Sequence, residues 1–180
     1  RILPAGYYAS TTFFQSAVFF IDGAMELFVG IRLRPFEYGL HLNGLLLDND
    51  VHVIFSDITA RVVPGLAGFG MITYMKWADV NNDGDLDMVI VGDWMPVKIF
   101  INNNGKFTDE SERFGLSGTE GWWHSIIAKD LNGDGKIDFV LGNHGLNSHF
   151  KASYTKPVQM YVNDFDLNGS VEQIICTFNG

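Results

Sequence analysis

The stretch Asp79-Val-Asn81-Asn-Asp83-Gly84-Asp85-Leu-Asp87 decides how the rest of this chain is read. Oxygen-bearing side chains stand at its positions 1, 3, 5 and 9, with glycine at position 6. Two more stretches keep the register: Asp130-Leu-Asn132-Gly-Asp134-Gly135-Lys136-Ile-Asp138 and Asp164-Phe-Asp166-Leu-Asn168-Gly169-Ser170-Val-Glu172. Alternate residues of a tight turn converge on one point, and the glycine allows the sharp bend that brings them there. Hard carboxylate and amide oxygens, with no Cys or His among them, suit Ca²⁺ rather than zinc or copper. A solvated Asx-rich turn would explain one such loop. Three in one register point to metal sites.

The EF-hand shares this opening but needs a bidentate Glu at position 12 and helices on both sides. Position 12 is Ile90, Leu141 or Ile175, and the closing carboxylate comes instead at position 9, as Asp87, Asp138 or Glu172. Strand-like runs follow at 88–92, 139–142 and 173–178 and precede at 72–78 and 122–128. The loops are therefore β-hairpin turns.

A chain of 180 residues that is 47% hydrophobic can bury a sizeable core. Its formal charge of −9 has a location, since ten of the 21 acidic residues lie inside the three loops. Outside them acids and bases balance, so no basic stripe is left for nucleic acid. Cys176 is the lone cysteine and reads as a buried, inert thiol. No stretch reaches the length of a membrane span, so no membrane insertion is expected. Residues 12–20 read as a strand rather than a signal-peptide core, and the chain as a whole reads as a piece of a longer protein.

A longer period runs beneath the loops. After the first loop come a strand, Gly92-Asp-Trp-Met-Pro96, a strand from Val97 to Asn102, the turn Asn103-Asn-Gly105 and Phe107-Thr-Asp109. That order is a four-stranded antiparallel meander, closed by an Asn-Gly hairpin signal. A worn copy lies around Asp22-Gly23 with later strands at 42–47 and 53–59; Val18 and Phe20 occupy its loop positions 1 and 3 and cannot bind a hard cation. Met160-Tyr-Val-Asn163 aligns with Ile99-Phe-Ile-Asn102, which puts the third loop where the 103–105 turn stands in the preceding copy. Both hairpins of a meander open on one edge, so all three loops are expected on one face. Repeated four-stranded units of this kind form a β-propeller. The expected fold is all-β, a partial propeller of about three blades spanning 15–62, 71–117 and 121–180.

These stretches resemble the FG-GAP/VCBS repeats, the calcium-loop blades of integrin-α-like β-propellers. The resemblance is closest to the proteins that pair such repeats with an ASPIC/UnbV module. It is carried by Leu27-Phe-Val-Gly30, Phe55-Ser-Asp57-Ile-Thr59, Trp77-Ala-Asp79, Gly92-Asp-Trp-Met-Pro96, Gly121-Trp-Trp123 and Gly142-Asn-His-Gly-Leu-Asn147 together with the loops. It implies a seven-bladed, secreted, periplasmic or cell-surface propeller used for binding or adhesion, of which the remaining blades would come from a longer chain. It also implies side-chain ligands Asp79, Asn81, Asp83 and Asp87 in the first loop, and Asp130, Asn132, Asp134 and Asp138 in the second. Asp164, Asp166, Asn168 and Glu172 would serve in the third, with backbone carbonyls of Asp85, Lys136 and Ser170 at position 7.

The connections at 92–96 and 142–157 open opposite the calcium loops. Asp93, Trp94, His144 and Asn147 are the candidate contacts there for a protein or glycan ligand, with Met95, His149 and Phe150 beside them. The plainer reading packs Trp94 and Met95 against a neighbouring blade. The alternative function is a hydrolase or lyase on this face, using His124, His144 or His149 with Asp93. No nucleophile elbow, HExxH or P-loop supports catalysis, so a non-enzymatic module is expected. Raw sheet edges would favour self-association.

Overall fold

A computed structural model describes residues 10–18, 23–50, 54–146 and 148–178. The fold is all-β, with twelve antiparallel strands and a single four-residue helix among those residues. Phe20, Asp22 and Val53 of the worn first copy lie outside them.

Strands β1 (Ser10–Ala17), β2 (Glu26–Leu33), β3 (Leu45–Asn49) and β4 (Phe55–Asp57) form a sheet in simple meander order. Helix α1 (Thr59–Val62) and a short 3-10 turn then lead to β5 (Met71–Ala78), β6 (Asp87–Met95), β7 (Lys98–Asn103) and β8 (Lys106–Asp109), which make a second meander. Both meanders end in the same clasp. Thr59 donates its hydroxyl proton to Asp57 Oδ1 and accepts the Leu46 N–H at 2.8 Å, while Ser111 bonds Asp109 and accepts the Ile99 N–H at 2.9 Å. An Asp-x-Thr/Ser step thus satisfies a backbone donor of the neighbouring strand in each copy.

Burial follows the period-2 alternation of the strands. Met88 and Ile90 of β6 face a core shared with Phe28 and Leu46 of the first sheet and with Met75, Trp77 and Phe100. Val89 and Val91 face the other way, against Ile99, Ile101 and Ile126. Strand β6 is therefore covered on both faces, and it reads as a near-continuous apolar run for that reason. Gly92 sits where a Cβ would collide with the Met71 carbonyl oxygen, so the closeness of β5 and β6 requires glycine there.

The third copy departs from expectation. Strand β9 (Gly121–Lys129) continues the second sheet, pairing Trp122 with Asp93 and Gly121 with Met95 of β6, and β10 (Asp138–Asn143) pairs with β9. Strands β11 (Gln159–Asn163) and β12 (Glu172–Cys176) form a separate two-stranded sheet. The expected third meander is thus two hairpins, joined by the long connection that starts at His144. The second hairpin docks elsewhere: Gln173 Nε2 donates to the Tyr38 carbonyl at 2.9 Å, and Gly39 leaves room for Val162, which a Cβ would meet at 2.5 Å. Cys176 is exposed on β12, contrary to the buried thiol expected from its apolar run, because it pairs with Gln159 on the face of this hairpin that nothing among the described residues covers, opposite the face of Met160 and Val162. No helix among the described residues is long and apolar enough to cross a membrane.

Candidate functional site

The three acidic loops share one hydrogen-bond plan. The position 9 carboxylate accepts the N–H of position 2: Asp87 from Val80 at 2.8 Å, Asp138 from Leu131 at 2.9 Å, Glu172 from Phe165 at 2.8 Å. The position 1 aspartate accepts the glycine N–H of position 6, at 3.0 Å for Asp79, 2.9 Å for Asp130 and 2.8 Å for Asp164. Position 3 accepts from position 5, and position 5 from position 7. Each side chain folds inward over its own turn, because a short Asx side chain reaches a donor two residues on.

Sequence reading identified the glycine at position 6, with φ of 93°, 82° and 88° at Gly84, Gly135 and Gly169. It missed position 4, which is also left-handed: Asn82 at 60°, Gly133 at 81° and Leu167 at 61°. Asn and Gly enter that region readily and leucine does not, so Leu167 is a strained residue with no sequence signal. Asn102 was missed as well. Its N–H donates to Asp87 Oδ1 at 2.8 Å, its Nδ2 reaches the Leu86 carbonyl at 3.2 Å, and its Oδ1 accepts the Gly105 N–H at 2.8 Å. It ties the first loop to the neighbouring hairpin turn.

Burial pushes the Asp87 carboxyl above the usual carboxylate range, and the charges of Asp83 and Asp79 add to the effect against the opposing N–H groups of Asn102 and Val80. Asp130 goes the other way, since the N–H groups of Gly135 and Gly133 stabilise its charged form. In the third loop Asp164, Asp166 and Glu172 each bring one oxygen within 4.8 Å of the others. The donor set of every loop is hard oxygen, the chemistry that can hold a divalent cation of the calcium type. Lys136, Asp85 and Ser170 take part through backbone N–H groups, which is why their side chains differ so widely.

Toward the far end of β6, with Asp93 about 20 Å from Asp87 by strand rise, the predicted ligand residues meet others. Asp93 is 2% exposed and holds Arg32 through Nε at 2.7 Å and Nη2 at 2.6 Å, both on Oδ2. Tyr38 donates weakly to the same oxygen at 3.4 Å and accepts the Trp94 indole N–H at 3.0 Å. Burial raises the Tyr38 pKa and the Asp93 charge adds to it, keeping the phenol a donor. Asp93 Oδ1 lies 3.9 Å from His124 Nδ1. The register slips between Asp93 and Met95, and Trp94 takes φ 59° on this bulge. The bulge separates neighbours that sequence reading treated alike: Met95 is buried in the core, while Trp94 turns outward onto Trp122, ring centroids 4.9 Å apart. Trp122 in turn meets His144 at 5.1 Å and Phe150 at 5.4 Å, and His144 meets His124 at 6.1 Å. Asp93, Trp94 and His144 thus share one cluster; Asn147 lies outside the described residues. Arg32 and Tyr38 were not anticipated.

Strand β9 leaves Asp93 antiparallel to β6, so the first two acidic loops lie toward the end of the sheet away from the cluster. The third hairpin instead touches the 34–39 turn that carries Tyr38. The expectation that all loops open on one edge is met by the first two. Residues 79–141 match the model of a protein family described as the FG-GAP-like repeat. The chain carries an FG-GAP-like repeat. It opens on position 1 of the first loop, closes in β10 and holds both of the first two loops. It contributes Asp93, Trp94, Trp122 and His124 to the aromatic cluster, while Arg32, Tyr38, His144 and Phe150 come from outside it. No match was found among curated proteins.

Proposed function

We propose that this chain is a calcium-stabilised β-propeller module, non-enzymatic and extracellular, that binds a protein or glycan ligand on its aromatic end. The observation that carries the proposal is one hydrogen-bonded loop plan built three times from oxygen donors. Asp79, Asn81, Asp83 and Asp87 would hold the first ion, Asp130, Asn132, Asp134 and Asp138 the second, and Asp164, Asp166, Asn168 and Glu172 the third. A bound calcium supplies the positive charge that lets clustered carboxylates stay ionised together. Affinities on the order of 10⁻⁴ to 10⁻³ M, usual for extracellular modules, fit a secreted, periplasmic or surface setting. The finer kinship, integrin-α-like blades of the type found with ASPIC/UnbV modules, belongs to this proposal and rests on Gly92-Asp-Trp-Met-Pro96 and Gly142-Asn-His-Gly-Leu-Asn147. So does completion of the ring by further blades.

Catalysis on the aromatic end is the weaker reading. Asp93 is buried against Arg32 and is not free to act as a base toward a substrate.

The test is thermal unfolding in EDTA and across a calcium titration, with magnesium as control. A ligand of the folded state alone raises the melting temperature as its concentration increases. The expected result is a calcium-specific rise, reduced by Asp83→Ala and by Asp134→Ala. No shift up to about 10 mM calcium, well above the expected affinity range, overturns the proposal.

A further inference from the structure

We infer that the aromatic cluster around Asp93 is a subsite for an acidic saccharide, a sugar ring bearing a carboxylate. The inference rests on the reading of that end as the ligand-binding face and names the class of ligand it takes.

The groups the cluster turns to solvent are donors or groups able to become cationic. The one carboxylate present, Asp93, is 2% exposed and already neutralised by Arg32. The Arg32 side chain remains 36% exposed with only Nε and Nη2 engaged, so it keeps N–H groups to give. The imidazole of His124 is 47% exposed, and His144 is exposed beside it. Trp122 Nε1 has no hydrogen-bond partner among the described residues, although its ring is held by Trp94, His144 and Phe150. In a chain of net charge −9 the cluster itself therefore offers N–H donors, imidazoles and ring surface around one carboxylate that Arg32 already neutralises. A carboxylate on the ligand meets the charge-assisted donors, while the apolar face of a sugar ring meets the indoles.

The backbone argues for a sugar over a peptide. A peptide adding to a sheet needs an unpaired strand edge. At Asp93 both edges of β6 are taken, one by Met71 of β5 and the other by Trp122 of β9. The site is also rigid, with Trp94 locked by its bulge and by its bond to Tyr38. A preformed site favours a ligand that loses little freedom on binding, and a sugar ring is such a ligand.

The experiment titrates the full chain, in calcium, with β-1,4-linked tetraglucuronate and with its carboxyl-reduced counterpart, cellotetraose, followed by calorimetry and tryptophan fluorescence. The expected result is binding of the uronate at least tenfold tighter than of the neutral sugar, weakening as salt rises. Trp122→Ala should weaken both sugars at least tenfold, and the double variant His124→Ala/His144→Ala should narrow the preference for the acid. All variants are first checked for an unchanged melting temperature. Equal affinity for the two sugars, or no binding of the uronate, overturns the inference. Binding of an acidic peptide of equal charge as tightly as the uronate overturns it too. The calcium-dependent melting shift on the same samples separates the two failures: a shift without uronate binding leaves the calcium module standing, and its loss removes that as well.

Discussion

At the residue scale the molecule depends on side chains that bond the backbone beside them. Asp79 and Asp83 in the first loop, with their counterparts in the other two, bond N–H groups two to five residues away. Such contacts are set by chain geometry alone, so the loops were legible from residue type and spacing. Leu167 was not, because nothing in its type announces a left-handed backbone. Its side chain is 86% exposed and gives no packing in return. Replacing Leu167 by Gly should raise stability by about 1 kcal/mol, the cost of a Cβ in that region. Chemical denaturation of the two proteins checks this, and a loss of stability would mean that the Leu167 side chain does contribute.

At the element scale β6 is the organising strand. It borders β5 along most of its length, β7 over Met88 to Ile90 and β9 at Asp93 and Met95, and it carries Asp87 at one end and Asp93 near the other. Its apolar run foretold a strand, and the structure buries it on both faces. Which neighbour it would take beyond Ile90 was not foretold, since β7 and β9 are equally strand-like in sequence. Gly92 marks the tightest approach, where β5 passes close enough that Cβ and the Met71 carbonyl cannot coexist. Gly92→Ala should cost about 1–3 kcal/mol, as over-packing does, and should disturb Asp93 and Trp94 next to it. Near-ultraviolet dichroism would report the change in the Trp94–Trp122 pair, and an unaltered spectrum with unaltered stability would contradict the role given to Gly92. The Asp-x-Thr/Ser clasp at the end of each meander was present in the sequence as a spacing but became readable only when the strand that donates its N–H to the hydroxyl was in place.

At the scale of the whole molecule the two halves differ in cover. The first two sheets share a continuous core, whereas residues 121–178 expose Ile127 (60%), Val140 (49%), Ile174 (48%) and Phe178 (55%). Apolar side chains beside unpaired strand edges promote association. Sedimentation should show concentration-dependent association of this chain, reduced in the double variant Ile127→Lys/Ile174→Lys. A monodisperse monomer at all concentrations would refute that. By itself the sequence determined the all-β class, the hairpins and the three oxygen-rich loops, because alternation, glycine turns and Asx bonding act over a few residues. Only the tertiary structure decided that β9 extends the second sheet and that the last hairpin docks on the 34–39 turn. It alone brought Arg32 and Tyr38 to Asp93 across 61 and 55 residues of chain. Those contacts come from how sheets pack on one another, and the periodicity of a single strand carries no record of the partner it will meet.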